Sequence, residues 1–113
     1  MPFIDVKTNQ KMDDKVKEVI KAELGQAIKT IPGKSETWLM VNLEPECSLY
    51  FQGSDEPAVF VDIKIYGHAS SDSYNQLTKK ITSLLSQKLN VREDRIYVCY
   101  METENWGFAG ENF

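Results

Sequence analysis

Pro2 stands directly behind the initiator methionine. Methionine in front of a small residue such as proline is ordinarily removed by aminopeptidases, and its removal would leave a secondary amine at the head of the chain. A chain-terminal amine, with an ordinary pKa of about 8, and the single histidine, His68, are the nitrogen bases whose unperturbed values lie within reach of neutrality. Desolvation in an apolar pocket and a neighbouring cation each lower the amine further, toward the range where a general base works best at neutral pH. The plainer alternative is a proline that opens a strand, where its missing N–H costs nothing. Cys47 and Cys99 are far apart and lack metal-ligand spacing. With one histidine beside them, a zinc site or a disulfide framework has almost no material, and neither metal nor cofactor is expected.

The elements that must position such an amine are legible. The chain has 113 residues, of which 42% are apolar, enough for one core and too short for a multidomain machine. Thirteen Lys and Arg against seventeen Asp and Glu give a net charge of -4, the wrong sign for a general nucleic-acid or anionic-membrane partner. Apolar runs are short and broken by charge, so no membrane span is expected. The N-terminus lacks the basic start, continuous apolar stretch and small-residue cleavage site of a secretory signal.

Pro2 to Thr8 alternates, with Ile4 and Val6 on one face and Phe3, Asp5 and Lys7 on the other, which predicts a half-buried strand. From Met12 to Ile31 the apolar residues recur at three and four, an amphipathic helix with Thr8 or Asn9 as expected N-cap, Asp13 and Asp14 at its positive end, and Pro32-Gly33 as its stop. Trp38 to Leu43 reads as a strand, followed by a long turn with Pro45, Gly53 and Pro57. Val59, Val61, Ile63 and Ile65 alternate with Phe60, Asp62, Lys64 and Tyr66, the cleanest strand pattern in the chain, and Gly67 ends it. Ser70, Ser71 and Ser73 offer caps to a helix whose stripe is Tyr74, Leu77, Ile81, Leu84, Leu85 and Leu89, with Asn90 suited to a left-handed stop. Ile96 to Met101 is a final strand, before a tail from Asn105 to Phe113 that is rich in aromatic residues.

The expected fold is therefore α+β: a single domain over residues 1–113 built from two β–α–β pseudo-repeats, about 1–44 and 57–101, plus the tail. Right-handed crossovers would lay both helices on one face of a four-stranded mixed sheet. The other face, with Phe60, Asp62, Lys64 and Tyr66, is too polar for a dry core and too aromatic for plain solvent. An oligomer with a wet channel and a solvated face both account for it.

Met1-Pro2-Phe3-Ile4, Thr8-Asn9, Gly33-Lys34, Phe51 to Pro57, Asp94-Arg95-Ile96-Tyr97, Asn105-Trp106-Gly107-Phe108 and the terminal Asn112-Phe113, in this order and spacing, resemble the macrophage migration inhibitory factor family of the tautomerase superfamily. The resemblance covers essentially the whole chain. It implies the tautomerase fold, a homotrimer of four-stranded sheets around a central channel, and active sites between neighbouring subunits. It also implies keto–enol tautomerisation of phenylpyruvate or its 4-hydroxy relative, a small aromatic 2-oxo acid, with Pro2 as the catalytic base and acid. By the same resemblance Lys34 holds the substrate carboxylate and helps depress the pKa of Pro2; as a residue in a loop after a helix stop it is equally at home in solvent. Tyr97 matches the pocket tyrosine, and Trp106 and Phe108 match hydrophobic walls for the substrate ring, although a tail that seals a sheet edge would use the same residues.

Two pocket positions depart from the pattern. Tyr66 stands where vertebrate members carry isoleucine, and Cys99 where they carry an asparagine that bonds the substrate from the neighbouring subunit. Cys99 is a weak donor that cannot replace an amide, which puts affinity or substrate preference in question. Pro57-Ala58-Val59-Phe60-Val61 lacks the C-x-x-C pair that a dithiol oxidoreductase role would need. Reduced cysteines suit a cytoplasmic protein, and some family members leave cells without a signal peptide and act as cytokines. Three functions thus stand side by side: a Pro2 tautomerase, a cytokine-like receptor-binding protein with a vestigial pocket, and a small-molecule binding module on the same frame.

Overall fold

The computed structural model describes residues 1–113. Strand β1 (Pro2–Thr8) leads through helix α1 (Asp14–Ala27) to β2 (Met40–Glu44), and β3 (Val59–Tyr66) leads through α2 (Ser71–Leu89) to β4 (Ile96–Thr103). The sheet order is β2-β1-β3-β4, with the two helix-linked pairs parallel and the central β1–β3 pair antiparallel. A two-stranded ribbon, β5 (Gly107–Phe108) with β6 (Glu111–Asn112), finishes the chain. No helix is long and apolar enough to cross a membrane.

One face of the sheet meets both helices. Ile4 and Val6 of β1 and Val59, Val61, Ile63 and Ile65 of β3 share a single apolar cluster with Ile20 and Leu24 of α1 and Leu77, Ile81 and Leu85 of α2. Burying each such side chain contributes about 1.5–3 kcal/mol, so this alternation fixes the register: a slip by one residue would turn every one of them to the opposite face. That opposite face carries Phe3, Asp5, Lys7, Phe60, Asp62, Lys64, Tyr97, Cys99 and Met101 in register, with Lys7 paired to Asp5 and Lys64 to Asp62.

Helix α1 differs from expectation at both ends. The N-cap of α1 is Asp13, whose Oδ1 accepts from the Val16 N–H at 2.8 Å, not Thr8 or Asn9. Asn9 is occupied elsewhere: its amide nitrogen donates to the carbonyls of Leu49, Asp55 and Glu56, and its oxygen accepts from the Ala58 N–H at 3.0 Å. Helix α1 also ends earlier, tightening into a 3₁₀ turn at Ile28–Thr30 before Pro32. Ser70 caps α2 through the Ser73 N–H, and Asn90 closes it in the left-handed conformation, as the pattern predicts. Trp38, expected in a strand, lies in a 3₁₀ turn at Glu36–Trp38 ahead of β2.

Candidate functional site

A cavity of about 600 Å³ opens where β1 begins. Pro2 and Phe3 form its floor; Trp38, Leu39 and Met40 enter from the 3₁₀ turn and the start of β2; Trp106 and Phe108 close it from the tail. The ribbon geometry explains the tail's position, because the Phe113 N–H donates to the Trp106 carbonyl at 3.1 Å and folds the aromatic residues back on the sheet end. Phe108 meets Trp38 edge to face at 5.4 Å, and Phe113 lies 5.3 Å from the Tyr66 ring. These contacts give the walls the apolar, π-rich character that suits a flat aromatic ligand.

The head of the chain is held tightly. The Met1 carbonyl accepts from the Tyr66 N–H at 3.1 Å, and Pro2 is buried opposite Ile65. Gly67, at a φ of +95° that glycine adopts without strain, turns the chain out of β3 immediately afterwards and donates to the Thr103 carbonyl at 2.9 Å. Lys34 reaches in from the loop after α1 and donates from Nζ to the Tyr66 carbonyl at 2.9 Å. Partial burial in the first place, and then the Lys34 ammonium through a hydrogen bond and its charge, bring the chain-terminal amine from its ordinary value of 8.0 down to about 6. The Met1 amine is therefore largely unprotonated at neutral pH. With Met1 attached the Pro2 nitrogen is a tertiary amide without basicity; with Met1 removed it becomes the amine at the head of the chain.

The fold brings Pro2, Trp106 and Phe108 to one cavity, with Lys34 and Tyr66 joined by their hydrogen bond at its edge. It does not bring Tyr97 or Cys99 there. Pro2 pairs with Ile65, whereas Tyr97 pairs with Phe60 and thereby lies level with Lys7, five residues along β1, roughly 17 Å at the usual rise of a strand. Tyr97 instead stacks edge to face on Phe51 at 4.8 Å and lines a separate apolar recess of about 270 Å³ with Leu49, Phe60 and Arg95. Cys99 is exposed, level with Asp62 and Asp5.

Three participants escape a reading of the sequence. Trp38 was hidden inside an apolar run, yet it supplies a cavity wall. Lys64, on the strand face assigned to the wet side, lines the same cavity. Arg95, one of a charged pair of residues before β4, is 4% exposed and donates to the carbonyls of Phe51, Ser54, Glu56 and Pro57 while its guanidinium lies 5.2 Å from the Phe51 ring. It thereby fixes the loop that supports Tyr97. His68, the other candidate base, faces outward and meets Glu102 at 3.0 Å. Glu102 also accepts from the Tyr74 hydroxyl at 2.6 Å and the Ala69 N–H at 3.2 Å, and these bonds hold its carboxyl well below the usual carboxylate range. This clasp ties the end of β4 to the start of α2. No group of three or more His, Cys, Asp or Glu side chains converges to hold a metal ion.

Comparison with known proteins bears on the whole chain. The family model described as macrophage migration inhibitory factor (MIF) matches residues 1–113. The macrophage migration inhibitory factor of Meriones unguiculatus is 29% identical over 115 aligned positions, covering 100% of this chain and 99% of that protein. A D-dopachrome decarboxylase-B of Xenopus laevis is 26% identical over 107 positions, covering 94% of this chain and 90% of that protein. The crystal structure of Leishmania major MIF2 superposes with a TM-score of 0.93 at 27% identity, covering 100% of this chain and 97% of its own. These similarities run from the first strand through the aromatic tail.

Proposed function

This chain belongs to the macrophage migration inhibitory factor family, and from that premise we propose that it is a keto–enol tautomerase of phenylpyruvate type in which Pro2, freed of Met1, moves the proton. The observation that carries this is the setting of the chain head: it is partly buried beside Lys34, which with burial brings the Met1 amine down to about 6, and it adjoins a cavity lined by Pro2, Trp38, Trp106 and Phe108. The substrate ring stacks on the aromatic walls and its carboxylate meets the Lys34 ammonium. The neutral Pro2 nitrogen takes a proton from the carbon next to the ketone, the C–H electron pair becomes the C=C bond, the C=O π pair moves to oxygen, and the protonated Pro2 gives the proton to that oxygen, which restores the free amine. The reverse path returns the keto form. Nothing is oxidised or reduced, so the reaction needs no cofactor.

Lys34 acts twice in this scheme, binding the anion and keeping Pro2 unprotonated before it binds. Tyr97 and Cys99 join the site from a neighbouring subunit, in a homotrimer whose sheets turn their polar faces toward one another. Their distance from Pro2 within one chain supports that arrangement, as does the uncovered face with Met40, Phe60, Tyr97 and Met101 exposed. A thiol at Cys99, in place of an amide, makes that cross-subunit contact weak.

The test is turnover of phenylpyruvate by Met1-free protein and by the Pro2→Gly variant. Loss of a positioned proton-transfer group costs about 10²–10⁴-fold, and a fall in kcat/KM within that range is expected. Equal turnover by the two proteins removes Pro2 from the mechanism. The names of the relatives support a second reading, a cytokine-like receptor-binding protein, to which the same exposed face and tail would serve as surface. Receptor binding that persists in Pro2→Gly, with no turnover by the parent protein, would favour it.

A further inference from the structure

Of the side chains that line the Pro2 cavity, one is charged: Lys64. It sits on β3 opposite Phe3 and two residues before Tyr66, whose carbonyl holds the Lys34 ammonium. We propose that Lys64 is a second anion-binding group of this site, and that with Lys34 it fits the cavity to short-chain 2-oxo acids bearing a second carboxylate. The proposal rests on the placing of Pro2 and Lys34 in the active site and extends it to a substrate class.

The geometry favours an anion at Lys64. Its ammonium stands 5.9 Å from the centre of the Phe3 ring, on the sheet face over which the cavity opens, and the side chain is exposed enough to meet an incoming anion. The neighbouring walls, Trp38, Met40 and Phe108, offer no carboxylate to answer its charge, and a cation facing an apolar recess attracts an anionic group more strongly than one surrounded by water. One of its three donors is spent on Asp62 Oδ2 at 3.0 Å. Asp62 lies two residues earlier in β3, level with Asp5 and Cys99, outside the cavity lining, and the pair is solvent-exposed. An exposed pair of this kind contributes little and is readily exchanged for a substrate carboxylate. Lys64 and the Tyr66 carbonyl that holds Lys34 are two residues apart on β3, roughly 7 Å along the strand, so both cations belong to the same end of the sheet and a short diacid is the class that can use both. A single carboxylate on an aromatic acid uses only one of them.

The experiment compares Met1-free parent, Lys64→Met and Asp62→Asn by kcat/KM for oxaloacetate, an enolisable 2-oxo diacid, and for phenylpyruvate. Methionine keeps an apolar stem over Phe3, and thermal melts check that each variant folds. The oxaloacetate-to-phenylpyruvate ratio is expected to fall about tenfold in Lys64→Met, the worth of one exposed charge-assisted hydrogen bond, and to rise in Asp62→Asn, which releases the Lys64 donor. An unchanged ratio in Lys64→Met, or a fall in Asp62→Asn, overturns the assignment. If the parent protein turns over neither acid, the tautomerase reading fails by itself, and Lys64 is then judged by chemical-shift titration with succinate: weaker binding in Lys64→Met upholds the second anion group, and equal binding overturns it.

Discussion

Arg95→Met removes a cation that the fold has buried against four backbone carbonyls. The guanidinium donates from Nε to Pro57 at 2.9 Å, from Nη1 to Phe51 at 3.2 Å, and from Nη2 to Ser54 and Glu56 at 3.2 and 3.1 Å. A hydrogen bond from a charged donor is worth about 1.5–3 kcal/mol net. Glu56 is exposed, where water can replace the lost donor; Phe51, Ser54 and Pro57 are half-buried, and their carbonyls bear the larger penalty. Adding the stacking of Arg95 on Phe51, the expected loss is about 2–4 kcal/mol, or a fall in Tm of roughly 10–15 °C for a domain of this size. Arg95→Lys keeps the charge but cannot span four acceptors, so it should fall between the two. Urea unfolding followed by circular dichroism, with all proteins at one concentration because association adds to apparent stability, measures both. Tyr97 should gain mobility as Phe51 loosens. A loss below about 1 kcal/mol in Arg95→Met, with the loop still ordered, would refute the view that this residue holds the 51–57 segment.

Other outcomes follow from the same geometry. In protein that retains Met1, the terminal amine should titrate near 6, and Lys34→Met should return it partway toward 8.0, because burial, the larger cause, remains; pH-dependent acylation of the amine reads this, and an unmoved titration would exclude Lys34 as its neighbour. Since the folded pKa lies below the unfolded one, the unfolded chain binds the extra proton between about 6 and 8.0, and stability should rise with pH across that window. Glu102→Gln should lower the melting temperature at neutral pH, where the depressed carboxyl holds Tyr74, His68 and the start of α2. That carboxyl contributes stability above its ordinary pKa and loses it as pH falls through the folded value, so variant and parent melts should converge in acid. Gly25→Ala should stabilise α1 by about 0.5–1 kcal/mol only if the Glu36 side chain, whose carboxyl group overlaps the new methyl position with Cδ 2.5 Å away, swings into solvent; a destabilised variant in a melt would show that Glu36 is held in place.

Strands and helices were legible where one face is buried and the other is not. The alternation through Val59 to Tyr66 and the leucine stripe of α2 carry the register and the packing in the residue types themselves. Pro2 as a chemical group was legible too, because its position next to Met1 is a property of order alone. What escaped depends on where backbone carbonyls and loops converge. Arg95 follows Asp94 and has the appearance of surface charge, yet the loop from Phe51 to Pro57 turns its carbonyls inward to meet it. Asn9 resembles a helix cap, but the loop that passes it offers more partners than the helix does. Lys64 has the period of an outward residue and faces outward; only the fold of the distant tail, bringing Trp106 and Phe108 back over the sheet end, makes that outward place the wall of a cavity.

The role of the head amine is tested most directly by assaying one chain in two covalent states, Met1 removed and Met1 retained, each verified by intact mass and each given phenylpyruvate at neutral pH. The two differ by one residue, and the basic nitrogen at residue 2 exists in only one. Turnover by the Met1-free form with at least a hundredfold less in the Met1-bearing form is the expected result, matching the lower bound for a lost proton-transfer group. Comparable turnover by both forms would contradict catalysis by Pro2.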